Sequence, residues 1–218
     1  MQTMGKSFKG DIHYMSTDWQ KADPGLGREI LENINPHIQP VAFDLEKTTV
    51  RQRRLPFYDK VMFYELTDMT AVPAARKYAL ARGKDVQMIN WTNDPIYHMN
   101  EQAPIKLNFE NVADYVRFFF SYVRGRHGRF IIIESFEDIR WQNEPPSAGR
   151  KAMREILSPV NVLAQDDADG TFILEAYMLF KDSLFRTLVH VKPNGQIDMT
   201  DEELKIEGMP VIQDMQMA

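Results

Sequence analysis

Residues 171–199 read TFILEAYMLFKDSLFRTLVHVKPNGQIDM, and apolar residues recur in them at every second position. Successive side chains of a β-strand point to opposite faces, so this period predicts strands with one buried face. We therefore expect an antiparallel meander with a shared core face. That face should carry Phe172, Leu174, Ala176, Met178 and Phe180 on one strand and Phe185, Thr187, Val189 and Val191 on the next.

The two turns of this stretch set the register of the meander. A short turn centred on residues 182–183 would place Phe180 opposite Phe185. Pro-Asn-Gly at residues 193–195 favours a three-residue loop, with proline at the second position of a type I turn and glycine in the left-handed conformation. A two-residue loop would instead bury an aspartate. The three-residue loop pairs Val191 with Ile197 and Val189 with Met199.

On the opposite face, the same register places His190 between Glu175 and Asp198. Directly opposed side chains have Cβ atoms about 5 Å apart, so an imidazole could contact both carboxylates. Flanking carboxylates favour the imidazolium ion, as a general acid requires. We take these three residues as candidate catalytic groups. Alternating charges are also common on solvated sheet faces, and that structural interpretation remains open.

A second group of candidate residues lies between Trp91 and the longest predicted helix. Residues 93–100 are interpreted as a loop that carries an acid, a phenol, an imidazole and an amide. Loops on a rigid scaffold often supply binding residues, although an ordinary Asp-Pro turn has the same composition. The candidate ligand-binding residues are Asp94, Tyr97, His98 and Asn100.

Residues 109–124 give the clearest helix prediction, with Asn108 as N-cap and Gly125 after the last turn. Its aromatic side chains surround the helix, so more than one side must be covered, by this chain or by a second subunit. Residues 72–91 are ambiguous between a helix, which we favour slightly, and a hairpin turning at residues 82–83. A helix is also expected at 147–157.

These elements predict an α+β fold in which the C-terminal antiparallel sheet packs against the long aromatic helix. Such an arrangement is similar to the cystatin-like and NTF2-like folds, which host both enzymes and binding proteins. We divide the chain into a mixed segment, 1–107, and a helix-plus-sheet segment, 108–218, with one continuous domain as the alternative.

Composition excludes several classes of function. The 26 Lys and Arg residues are outnumbered by 31 Asp and Glu residues, so no general basic field would attract nucleic acid. The chain has no cysteine, which removes disulfides and thiolate metal sites and is typical of the cytoplasm. The histidines have no ligand-like spacing. We expect a soluble cytoplasmic protein without cofactor, metal ion, nucleic acid or membrane partner.

Residues 97–136 and 171–210 resemble an uncharacterised conserved family of proteobacterial proteins. The resemblance rests on His98 to Asn100, on Arg-Phe-Phe at 117–119 and on Val-Arg-Gly at 123–125. The spacing of the family's His-x-x-Asn motif is one residue shorter in this chain. The resemblance implies a bacterial protein and no particular activity.

Two functions follow from the sequence. Abundant aromatic and Met residues, together with the absence of motifs for catalysis, favour a non-enzymatic binding or assembly module that forms a homodimer or takes a small-molecule or protein partner. The alternative is a small-molecule hydrolase or isomerase that uses a His–carboxylate pair in a sheet-lined pocket.

Overall fold

The computed structural model describes residues 19–38 and 42–212. In these residues the chain forms two antiparallel sheets and four α-helices, which confirms the predicted α+β class. The helices are α1 (Pro24–Ile34), α2 (Asp94–Gln102), α3 (Val112–Tyr122) and α4 (Ser147–Ile156). The strands are β1 (Gln20–Lys21), β2 (Thr48–Arg54), β3 (Met62–Asp68), β4 (Ala75–Arg82), β5 (Asp85–Met88), β6 (Phe130–Ile132), β7 (Asn161–Gln165), β8 (Phe172–Phe180), β9 (Ser183–Val191) and β10 (Ile197–Ile206).

The N-terminal sheet is a meander in which β1 to β5 follow one another in chain order. Helix α1 begins where the side chain of Asp23 accepts a hydrogen bond from the Leu26 amide at 2.9 Å, as an N-cap does. Its buried residues Leu31 and Ile34 pack on one face of the sheet. That face is thereby covered, and the other face is left for the larger core.

Residues 72–91 form the hairpin of β4 and β5, so the favoured helix is wrong and the alternative is confirmed. Leu80 is buried in the larger core, while Ala79 and Ala81 are buried under α1. Burial on both faces of a strand outweighs the helix preference of alanine and arginine. Gly83 has a φ of +59° in the turn.

Helix α3 lies in the larger core, which contains side chains from both sheets. The ring of Phe118 meets that of Phe63 edge-on at 5.2 Å, and the same cluster includes Leu174 and Val189 of the C-terminal sheet. The aromatic helix is therefore covered by its own chain. Helix α3 begins at Val112, later than predicted. The Asn108 side chain accepts hydrogen bonds from the amides of residues 110 and 111, and these bonds form a turn that precedes the helix.

The C-terminal sheet has the order β10-β9-β8-β6, and β7 also pairs with β8. The three-residue loop is confirmed, since Lys192 donates its amide to the Gln196 carbonyl at 2.9 Å and Gly195 has a φ of +83°. Both predicted pairs of that hairpin are present, Val191 with Ile197 and Val189 with Met199.

The register of β8 against β9 differs from the prediction by two residues. Phe180 pairs with Ser183 and not with Phe185, because the turn contains only Lys181 and Asp182, with Lys181 at a φ of +56°. A shift of two residues keeps every side chain on its predicted face but changes its neighbours. Glu175 consequently lies opposite Leu188.

The opposite face of this sheet is buried at one end by a smaller cluster. Leu179 and Leu184 belong to that cluster together with Met153 of α4 and the segments around Phe136 and Val211. None of the described helices has the length and apolar character needed to cross a bilayer.

Candidate functional site

The predicted catalytic row is only partly assembled. Asp198 lies opposite His190, as expected, but the residue on the other side of His190 is Ile173. The predicted Glu175–His190 pair is therefore wrong, and its cause is the two-residue turn between β8 and β9. The three polar groups share a face of the sheet without forming a triad.

Each of the three groups also has a hydrogen-bond or ion-pair partner of its own. The Nε2 atom of His190 lies 2.9 Å from the Thr200 hydroxyl. Asp198 pairs with Lys192 at 3.2 Å. Glu175 accepts a 2.7 Å hydrogen bond from Arg186, and this contact raises the pKa of the Arg186 guanidinium. The arrangement is a charged ladder on an open sheet face.

Residues 93–100 are not a loop, because α2 begins at Asp94 with Pro95 in its first turn. Asn100 is buried, and its side chain donates hydrogen bonds to the Tyr115 hydroxyl at 3.1 Å and to the Asn194 carbonyl at 3.2 Å. It also accepts a hydrogen bond from the hydroxyl of Tyr58. Asn100 thus ties α2 and α3 to the β9–β10 turn.

The other three members of the predicted ligand-binding set are divided between two environments. The Tyr97 hydroxyl accepts a 3.1 Å hydrogen bond from the amide of Ile197, at the start of β10. Asp94 and His98 are exposed, one helical turn apart. The structure therefore does not gather the four residues into one pocket, and two of them hold the hairpin in place.

Gly195 shows how tightly that hairpin is held. A Cβ atom at this position would lie 2.6 Å from the Tyr115 hydroxyl and 2.7 Å from Ile105. The Tyr115 hydroxyl in turn donates a 2.6 Å hydrogen bond to the Gly195 carbonyl. The position requires glycine for its positive φ and for the close approach of these groups.

A cavity of about 230 Å³ opens on the core face of the C-terminal sheet. Met178 and Thr187 are buried in it, whereas its other wall residues are half-buried or exposed and leave it open to solvent. The Thr187 hydroxyl donates a 2.9 Å hydrogen bond to the Thr200 carbonyl, so its proton is already used within the sheet. The wall residues are Phe130, Met178, Phe180, Phe185, Thr187, Met199 and Glu202.

Close packing shapes one wall of the cavity. The rings of Phe130 and Phe180 stack with centroids 4.6 Å apart. A Cβ atom on Gly128 would lie 3.1 Å from the Phe180 ring, so the loop before β6 approaches this wall closely. Lys181 places its ammonium 5.3 Å from the Phe180 centroid but is not among the wall residues.

Glu202 is the charged residue in the wall, and a β-bulge places it there. Thr200 pairs with Leu188 and Glu203 with Arg186, so Asp201 and Glu202 together oppose a single residue of β9. Asp201 adopts a φ of +52°. In a regular ladder Glu202 would pair with Arg186 and point to the other face.

The sequence prediction identified the core face that lines this cavity but neither the cavity nor Glu202. One signal was present in the sequence. Regular alternation after Met199 would place two acids, Asp201 and Glu203, on the core face. Where regular alternation would put charged residues on a buried face, a β-bulge is expected, because one extra residue moves the following side chains to the opposite face.

Within residues 19–38 and 42–212, no group of three or more His, Asp or Glu side chains is placed to hold a metal ion. Comparison of the chain with protein-family models, with curated proteins and with solved structures found no match.

Proposed function

We propose that the protein is a non-enzymatic binding module that takes a compact apolar ligand into the cavity of the C-terminal sheet. The observation that carries this proposal is the wall of phenylalanine and methionine side chains around about 230 Å³ of space. Pockets for drug-sized ligands measure roughly 300–1,000 Å³, so a smaller molecule, or a single side chain of a partner, suits this volume.

The chemistry of the wall favours binding over catalysis. Five of the seven wall residues are phenylalanine or methionine, which supply apolar, polarisable contacts and have no group that can transfer a proton. The one carboxylate, Glu202, is exposed and has no second titratable group beside it in the wall. The hydroxyl of Thr187 is already hydrogen-bonded. The enzyme alternative would require His190 and a carboxylate to meet in an enclosed pocket, yet His190 lies on the sheet face opposite to the cavity.

Binding can be followed at the methionine methyl groups, because Met178 and Met199 line the cavity while Met153 lies in the smaller cluster. The protein is labelled with ¹³C-methyl methionine, and the signals are assigned with single Met→Leu variants. Titration with 2-phenylethanol should shift the two cavity methyls saturably, with a dissociation constant of about 1 mM or below, and should leave Met153 unchanged.

Met199→Trp would fill the cavity from the outer strand and should abolish the shift of the Met178 methyl, the wall methionine that this variant retains. Leu163→Trp is the matched control, since Leu163 is an exposed residue of β7 that does not line the cavity. Absence of saturation, or equal shifts at all methionines, would contradict the proposal.

The same proposal includes a cytoplasmic bacterial protein that works as a homodimer. The absence of cysteine supports the cytoplasmic location, and exposed apolar side chains such as Val72 and Phe109 support self-association.

A further inference from the structure

We infer that the ligand of this cavity is a small organic cation, with an apolar body between the phenylalanine and methionine side chains and a protonated amine on the carboxylate of Glu202. This inference rests on the proposed function and specifies its ligand class. The wall of the cavity contains both apolar side chains for the body of such a molecule and a carboxylate for its amine.

The bulge in β10 is the first argument for a cation. It turns Glu202 away from Arg186, which pairs instead with Glu175 and Glu203 on the opposite face. Among the described residues, the side chain of Glu202 has no ion-pair or hydrogen-bond partner, whereas that of the neighbouring Glu203 also pairs with Lys205 at 2.6 Å. The backbone thus presents an uncompensated carboxylate to an apolar cavity.

The charges around the cavity are the second argument. Asp201 flanks Glu202 in the chain and adds to the negative potential at this edge, whereas the charge of Glu203 is compensated by Arg186 and Lys205 on the opposite face. An anionic ligand would meet repulsion from Glu202 at short range. The ammonium of Lys181 lies over the Phe180 ring and is not part of the wall, so the carboxylate of Glu202 is the charge that lines the cavity itself.

Three probes with the same phenyl body test the inference: 2-phenylethylamine, 2-phenylethanol and phenylacetate. Because Glu202 is exposed, the ion pair should improve affinity for the amine over the alcohol by up to about fivefold at low salt. Phenylacetate should bind more weakly than the alcohol. The preference for the amine should shrink as ionic strength rises.

Glu202→Gln keeps the size of the side chain and should remove the preference for the amine, while the affinity for 2-phenylethanol stays within about twofold. Glu203→Gln is the matched control, since it removes the same charge one residue away on the opposite face. This control should retain the preference.

The outcomes separate the two proposals. If 2-phenylethanol and 2-phenylethylamine bind equally, or if the two glutamine variants behave alike, the cation inference is overturned while the binding module stands. If none of the probes shifts the Met178 and Met199 methyls, both proposals are overturned.

Discussion

Replacing Gly195 by alanine should destabilise the protein by about 3–4 kcal/mol. The backbone contributes part of this loss, because a left-handed conformation costs a residue with a Cβ atom about 1–2 kcal/mol. The new methyl group also collides with the Tyr115 hydroxyl and Ile105. Separating them breaks the hydrogen bonds from Tyr115 to Gly195 and from Asn100 to Asn194, at about 1 kcal/mol each.

Gly83→Ala provides the control for the backbone contribution. Gly83 has a φ of +59°, and a Cβ atom there would have no neighbour within 4 Å. This variant should therefore lose only about 1–2 kcal/mol. The difference between the two losses in free energy of unfolding measures how much the contacts of the hairpin with α2 and α3 stabilise the protein.

Urea unfolding followed by far-ultraviolet circular dichroism gives both free energies, provided that the m-value stays constant. Combining Gly195→Ala with Tyr115→Phe should cost less than the sum of the single changes, since both remove the same hydrogen bond. Equal destabilisation by Gly195→Ala and Gly83→Ala would refute the reasoning that buried polar groups hold the turn.

Two other predictions concern alkaline stability and assembly. Burial raises the pKa of the Tyr58 and Tyr115 phenols above the ordinary value of 10.0. The unfolded chain loses these protons at a lower pH than the folded chain does. The contribution of the two phenols to the free energy of unfolding should therefore be complete below about pH 10, and this free energy should fall above it by up to about 1.4 kcal/mol per pH unit per tyrosine. Urea unfolding between about pH 8 and pH 11 should show this slope reduced in Tyr58→Phe, and an unchanged slope would count against it. For assembly, light scattering should give twice the chain mass of 25.4 kDa, and the mass of a single chain would contradict the homodimer.

Features that depend on local chemistry could be predicted from the sequence. The Pro-Asn-Gly turn at 193–195 sets the hairpin register because glycine occupies the position with positive φ. The turn between β8 and β9 has no such signal, since its residue with positive φ is Lys181. The predicted register there is wrong by two residues, so the prediction places Glu175 opposite His190, whereas Glu175 lies opposite Leu188 in the structure.

Features that depend on distant contacts could not be predicted. The slight preference for a helix at 72–91 is wrong because the burial of this segment comes from α1 on one face and from α3 on the other. The sequence predicts Asn100 as a ligand-binding residue and gives no sign of its hydrogen bonds, because its partners, Tyr58, Tyr115 and Asn194, are far apart in the sequence. Alternation identified the face that lines the cavity, but the empty space depends on how far apart packed side chains lie.

The irregular backbone of β10 also protects the sheet that it borders. This strand is ten residues long and lies at the end of the strand order, where unpaired amides and carbonyls could recruit another polypeptide. Its pairing with β9 shifts register twice, between Thr200 and Glu203 and between Leu204 and Ile206, and bulges of this kind bend and twist an edge strand. An incoming strand could match only short pieces of it, so fibril growth by addition to this border is disfavoured.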